Sequence, residues 1–287
     1  MVDTKKITYK EMKLRQKEDL RSKRIVNSIY RNISTVFAYI FVKLGVSPNA
    51  ITISSWFLCI FGFIFLSIGA YPYIITGLIF FNMFMTFDYT DGEVARIQNK
   101  QSLEGQHFEY MQEYIYRCCL GIGLGVGLFS LYRSHIYLYL GFLLTFLLIV
   151  EYAIGDLLKS VLRKGIIDKM ISKTISDRDI QKELQEKMTE GHNWAEQNIF
   201  LRLFGVYPPG LIFSSVVISL ILVVLTIIEY LLSIFTNFPL AMYGQTVGIL
   251  SIYLLIVSIV KLIEVTILIL KLEKDRPITK FLEELSK

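Results

Sequence analysis

From Asp88 to Glu113 the chain reads DYTDGEVARIQNKQSLEGQHFEYMQE. The stretch begins where one apolar run ends at Phe87 and closes where the next begins, which brings carboxylates to a membrane surface. Such placement is energetically costly and usually functional. At 3.6 residues per turn, Asp88, Asp91 and Ala95 share one helix face, with Gly92 and Arg96 beside them. Gly105, Glu109 and Glu113 form a second stripe at intervals of four, continued by Arg117, Gly121 and Gly125. Two helices meeting along these faces would gather four carboxylates around one small volume. Four like charges share a volume only if cations neutralise them. Oxygen-only ligands suit Mg²⁺ or Mn²⁺, whose coordination is commonly completed by substrate phosphates.

The elements that must present these faces are apolar helices. Of 287 residues 53% are hydrophobic and the mean hydropathy is +0.50, far above a soluble domain of this length. Six apolar runs are read at 50–69, 71–87, 114–132, 134–155, 208–233 and 245–271. Each is near the ~20 residues a spanning helix needs, the second and third only if the motif extends them. The expected fold is an all-α integral membrane protein with six transmembrane helices and both ends on one side. Of the 30 Lys and Arg residues, 27 fall in 1–49, 96–100, 159–207 and 271–287; Arg117 and Lys261 lie within runs, and Arg133 alone falls on the other side. This positive-inside asymmetry places the motif and both termini in the cytoplasm. The inner membrane surface accounts for the net charge of +5 without nucleic acid.

Met1 to Arg24 is polar and basic, without an apolar core and small-residue cleavage site, so no cleavable signal peptide is expected. Ile25, Ile29, Ile33, Val36, Phe37, Ile40 and Leu44 follow helical spacing up to a stop at Gly45. They predict a cytoplasmic amphipathic juxtamembrane helix, either lying on the inner leaflet or packed under the bundle. Ser47-Pro48-Asn49 then supplies a start for the first span.

The spacing Asp88-x2-Asp91-Gly92-x2-Ala95-Arg96-x8-Gly105-x3-Glu109-x3-Glu113 resembles the signature of the CDP-alcohol phosphotransferase family, D-x2-D-G-x2-A-R-x8-G-x3-D-x3-D. Pro48-Asn49-x2-Thr52 also resembles the segment that family carries before its first span. The chain departs at the last two acidic positions, where Glu109 and Glu113 replace Asp. The resemblance implies two divalent ions held chiefly by Asp88, Asp91 and Glu109. It makes Glu113 the base that accepts a hydroxyl proton and also a metal contact. It implies that Gly92 and Ala95, with Arg96 and Gly105, admit a cytidine nucleotide, and that the protein is a homodimer. A glutamate carboxylate reaches roughly one C–C bond further than an aspartate's, so it can still serve if the second helix stands off slightly. Charge and proton-accepting ability are kept, which favours an altered working site over a decayed one.

Arg96 is placed to pair with the acidic cluster or to contact phosphate, and Arg117 to pair with Glu113 or with phosphate. Lone His107 reads as structural. Gly121, Gly123, Gly125 and Gly127 read as close helix packing, since no strand precedes them for a nucleotide loop. Lys159 and Arg163 either flank the fourth run or bind an anionic substrate group. Lys261 and Glu264, three apart, are the expected exceptions in the last two runs: they pair with each other, Lys261 snorkels, or it binds a headgroup. Cys59, Cys118 and Cys119 show no disulfide or zinc spacing.

The resulting division is a basic segment with an interfacial helix at 1–49, a transmembrane catalytic domain at 50–271 with a cytoplasmic insertion at 159–207, and a charged tail at 272–287. Within the insertion, 177–190 reads as a surface helix and 194–204 as interfacial, covering the active-site mouth or merely connecting spans. The expected reaction moves a phosphatidyl or phospho-alcohol group from a CDP-linked donor to a hydroxyl acceptor, within membrane lipid and with release of CMP, most naturally in phospholipid biosynthesis. The competing readings are a divalent-cation carrier and a silent relative, or one that uses a different activated donor. A carrier would explain the acidic residues but not Gly92, Ala95, Arg96 and Gly105 at these intervals.

Overall fold

A computed structural model describes residues 25–100, 103–173, 215–236, 240–242 and 245–275, together with Tyr9 and Lys13. The expected surface helix at 177–190, the interfacial stretch at 194–204, the start of the fifth apolar run at 208–214 and nearly all of the basic N-terminal segment lie outside these residues. Among the described residues seven helices follow in order: α1 Ile25–Leu44, α2 Pro48–Ile68, α3 Tyr71–Gln98, α4 Leu103–Tyr132, α5 Ile136–Lys173, α6 Ser215–Phe235 and α7 Ile249–Asp275. A hairpin of β1 (Leu240–Met242) and β2 (Gln245–Val247) precedes α7. Gln245, Thr246 and Val247 lie inside the run assigned to the last span, so that helix begins later, at Ile249, in an otherwise helical fold.

Among the described residues five helices are long and apolar enough to cross a membrane, over Pro48–Ile68, His107–Tyr132, Ile136–Leu157, Ile218–Phe235 and Ile249–Leu270. The second expected run, 71–87, is the apolar half of α3, and the motif extends that helix to Gln98. The motif extends α4 backward to Leu103 in the same way. α5 continues from the fourth apolar run through residues 159–173.

Local chemistry accounts for the helix ends. Gly45 sits at φ +72° just past α1, where only glycine is unstrained. Ser47 then caps α2 by accepting from the Ala50 N–H, and Pro48 occupies the first turn. Asn99 stops α3 in the left-handed conformation, with its N–H directed at the Ala95 and Arg96 carbonyls.

The chain forms two compact units, Met1–Thr145 with Ser215–Leu254 and Phe146–Ser214 with Leu255–Lys287. In the first, α2 lies along both α3 and α4, whereas α3 and α4 approach each other at few positions. Gly62 and Gly77 face each other where α2 crosses α3; a Cβ on Gly62 would lie 3.2 Å from the Gly77 carbonyl oxygen. The α4 glycines divide between two neighbours. Gly123 and Gly127 meet Phe63 and Leu66 of α2, while Gly121 and Gly125 meet Thr145 and Gly141 of α5. The small residues thus serve packing within one chain, and a dimer would need another face.

α1 has one buried face and one exposed face. Tyr30, Ser34, Thr35, Ala38 and Val42 are buried, and the helix packs on α3. Ile29, Ile33, Val36, Ile40 and Leu44 are exposed. Phe37 leaves the expected stripe to pack on Phe87 at 5.5 Å between ring centroids. In the second unit, fully buried Lys261 forms ion pairs of 2.8 Å with both Glu151 of α5 and Glu264 of α7. Pairing with Glu264 was one of the expected roles; Glu151 adds the second partner.

Candidate active site

The motif is delivered by three helices of the first unit. α3 carries Asp88, Asp91, Gly92, Ala95 and Arg96; α4 carries Gly105, Glu109, Gln112, Glu113 and Arg117; α2 supplies hydroxyls beneath them. The Thr52 hydroxyl donates to Asp91 Oδ2 at 2.6 Å. Gln112, fully buried, donates from Nε2 to Asp88 Oδ1 and accepts at Oε1 from the Ser55 hydroxyl at 3.3 Å. Glu113 is ion-paired with Arg117, and Arg117 also donates to the Glu113 carbonyl at 2.9 Å. That pairing is one of the two roles expected of Arg117.

Aromatic side chains pack between α3 and α4. Fully buried Tyr116 of α4 stacks on Phe84 of α3 at 5.0 Å and meets Phe81 edge-on at 5.7 Å. Phe84 lies one turn before Asp88, and Tyr116 one turn after Gln112. These rings fill the space between α3 and α4 one turn from the carboxylates.

Burial, then the charges of Glu113, Asp91 and Glu109, push Asp88 well above the usual carboxylate range, against the opposing Gln112 hydrogen bond. Burial also raises Asp91, to about 7; Thr52, the Gly92 N–H and Arg96 oppose the rise, and Glu109 adds to it. Without a counter-cation this burial and crowding of charge favours the protonated forms.

The expected convergence of four carboxylates around one point is only partly met. Glu109 is exposed, Glu113 is turned onto Arg117, and among the described residues no three His, Cys, Asp or Glu side chains are placed to hold one metal ion together. The donor set still fits a hard divalent cation, being oxygen throughout, partly desolvated and in excess of negative charge.

Over Gly92 there is room. An added Cβ would meet only the Arg96 guanidinium, at 3.5 Å, so no protein backbone demands a glycine there. A group approaching α3 at this point would meet open backbone. His107 is exposed, and Lys159 and Arg163 lie on α5 beyond its apolar run.

Several polar contacts have no signature in the local sequence. Ser34 of α1 donates to buried Glu93 Oε1 at 2.9 Å, tying α1 to the turn after Asp91. Glu229 was overlooked among the exceptions in the last two runs. It is fully buried and accepts from the Tyr71 hydroxyl at 3.0 Å, from the Tyr132 hydroxyl and from the Leu250 N–H at 2.7 Å. An ionisable residue inside an apolar run was the signal that could have found it.

A family model described as CDP-alcohol phosphatidyltransferase matches residues 45–174, the stretch from Gly45 to the end of α5, which holds every motif residue. No curated protein matches the chain.

Proposed function

We propose that this chain is a six-span membrane transferase that moves a phosphatidyl or phospho-alcohol group from a CDP-activated donor to a hydroxyl acceptor and releases CMP in phospholipid biosynthesis. The observation that carries the reading is that α3 brings Asp88 and Asp91 close enough to the α4 acids for the charges of Glu113 and Glu109 to act on Asp88 and that of Glu109 on Asp91, inside the matched stretch 45–174. On this reading α3 is the sixth span, α1 rests its exposed Ile29, Ile33, Val36, Ile40 and Leu44 stripe on lipid, and the Lys and Arg bias sets the motif and both termini in the cytoplasm. A homodimer, as in the resembled family, would associate through a face other than the α4 glycines.

Asp88, Asp91, Glu109 and Glu113 are the residues that would hold Mg²⁺ or Mn²⁺, which would supply positive charge to neutralise the donor's phosphates and steady the departing CMP. Gly92 and Ala95 let the nucleotide lie close to the α3 backbone, with Gly105 opposite on α4. Arg96 supplies positive charge one turn beyond Gly92. Glu113 takes the proton of the incoming hydroxyl. The acceptor oxygen bonds to the donor phosphorus, and the phosphorus–oxygen bond to CMP breaks with its electron pair leaving on CMP. Lys159 and Arg163 are the candidates for an anionic group on either substrate. Lys261 is less suited, because two carboxylates already hold it.

The test is CMP release by purified protein in lipid with Mg²⁺ or Mn²⁺, screened over CDP-diacylglycerol and several CDP-alcohols, beside Asp91→Asn and Glu113→Gln. Release abolished by both substitutions is the expected result, and the productive donor identifies the substrate branch. Nucleotide binding without release from any donor would point to another activated donor or a silent site, with Glu113 kept on Arg117. No nucleotide binding, with divalent-cation flux, would overturn the transferase reading in favour of a carrier.

A further inference from the structure

Gln112 is a fully buried amide within the acidic stripe of α4. Burying an amide is unfavourable unless its polar atoms are bonded, whereas leucine or alanine would sit at such a helix–helix contact without that cost. Its Nε2 donates to Asp88 Oδ1 on α3, and its Oε1 accepts from Ser55 on α2 at 3.3 Å. The amide orientation is dictated by Asp88, since an amide oxygen in that place would face a carboxylate. The Ser55 proton is shared with the Thr52 carbonyl at 2.6 Å, so the Asp88 bond is the stronger arm. One amide therefore joins three helices at the carboxylate. Thr52 does the corresponding work for Asp91 from the turn of α2 that precedes Ser55.

We infer that Gln112, braced by Ser55, is a positioning residue that fixes the rotation of the Asp88 carboxylate and so decides which oxygen it turns toward a divalent cation. This rests on the proposed function, in which Asp88 is a metal ligand. Partners that orient ligating carboxylates change metal affinity or activity by roughly 10–100-fold when removed. Gln112→Leu keeps the bulk, removes the donor and leaves every ligand in place.

The experiment measures Mn²⁺ uptake by the full chain in lipid nanodiscs, from the electron paramagnetic resonance signal of free Mn²⁺, for wild type, Gln112→Leu and Ser55→Ala. Thermal melting is recorded beside it. Gln112→Leu should weaken Mn²⁺ binding by at least about tenfold, and its CMP release should recover as Mn²⁺ is raised, which damage to the fold alone would not permit. Ser55→Ala should weaken binding by about fivefold. It decides the matter if Gln112→Leu does not fold, with unchanged affinity counting against the inference. Wild-type uptake with equal affinity in Gln112→Leu would overturn the inference while leaving the transferase reading intact. A wild type that takes up no Mn²⁺ would overturn the metal reading itself, and this inference with it.

Discussion

Arg117 is ion-paired with Glu113 one turn earlier on the same helix, and both side chains are largely buried, 14% and 17% exposed. The pair holds the proposed base by a charge-assisted contact in a partly desolvated setting. On the proposed reading, Glu113→Gln should lower CMP release by about 10²–10⁴-fold, the usual contribution of a positioned base. Arg117→Gln should lower it about tenfold, matching the ~1.5 kcal/mol of one hydrogen bond to a charged group. A rise in release from Arg117→Gln would instead identify the pair as a restraint on the base.

The raised aspartates make metal-free stability depend on pH in an unusual direction. Asp91 is pushed up to about 7 by burial, against about 3.9 in an unfolded chain. The folded protein then holds a proton that the unfolded chain releases. The associated stability is present below about pH 4 and is lost as pH rises through about 7. With metal chelated, the melting temperature should fall between pH 6 and pH 8, and Asp91→Asn should flatten that fall. Added Mg²⁺ or Mn²⁺ should stabilise more at pH 8 than at pH 6, because protons compete for the same oxygens. Equal metal-induced shifts at both pH values would count against Asp91 as a ligand.

The Glu113–Arg117 pairing could be framed from sequence because the two residues sit one helical turn apart. Helix ends were equally legible: Gly45, Ser47 and Pro48 each act on backbone only a few residues away. What the sequence could not show is the partnership of residues far apart in the chain. Thr52 meets Asp91 across 39 residues, Ser55 meets Gln112 across 57 and Tyr71 meets Glu229 across 158. In α1, periodicity identified the Ile29, Ile33, Val36 and Ile40 stripe, which is exposed, but not that small and polar residues such as Ser34 and Ala38 form the face packed on the protein.

Lys261 offers a test within the second unit. It is wholly buried, while its partners Glu151 and Glu264 are 19% and 29% exposed. Lys261→Met would leave two carboxylates facing each other without their cation, and breaking a buried pair from one side costs about 3–5 kcal/mol. Chemical unfolding in detergent should show a loss of that order, and adding Glu151→Gln to the same chain should recover part of it. The acceptor KM should not change. A selective rise in KM with unchanged stability would return Lys261 to a substrate-binding role.

Glu229 joins four structural elements through one carboxylate. Its donors are Tyr71 at the start of α3, Tyr132 at the end of α4 and the Leu250 N–H in the first turn of α7, where a helix has free N–H groups. It therefore caps α7 from α6, a negative group placed at the positive end of that helix. The cap leaves no room at Gly248: an added Cβ there would collide with both Glu229 Oε1 and the Tyr132 hydroxyl. Glu229→Leu strands three donors at once and should cost about 3 kcal/mol or more, whereas Glu229→Gln keeps an acceptor and should cost less. Gly248→Ala should destabilise through the collision alone, and combining it with Glu229→Leu should cost less than the two separate losses together, because the leucine variant has already given up the contact. Melting temperatures of the three variants in one detergent decide the matter. Full additivity would mean that Gly248 and Glu229 act independently.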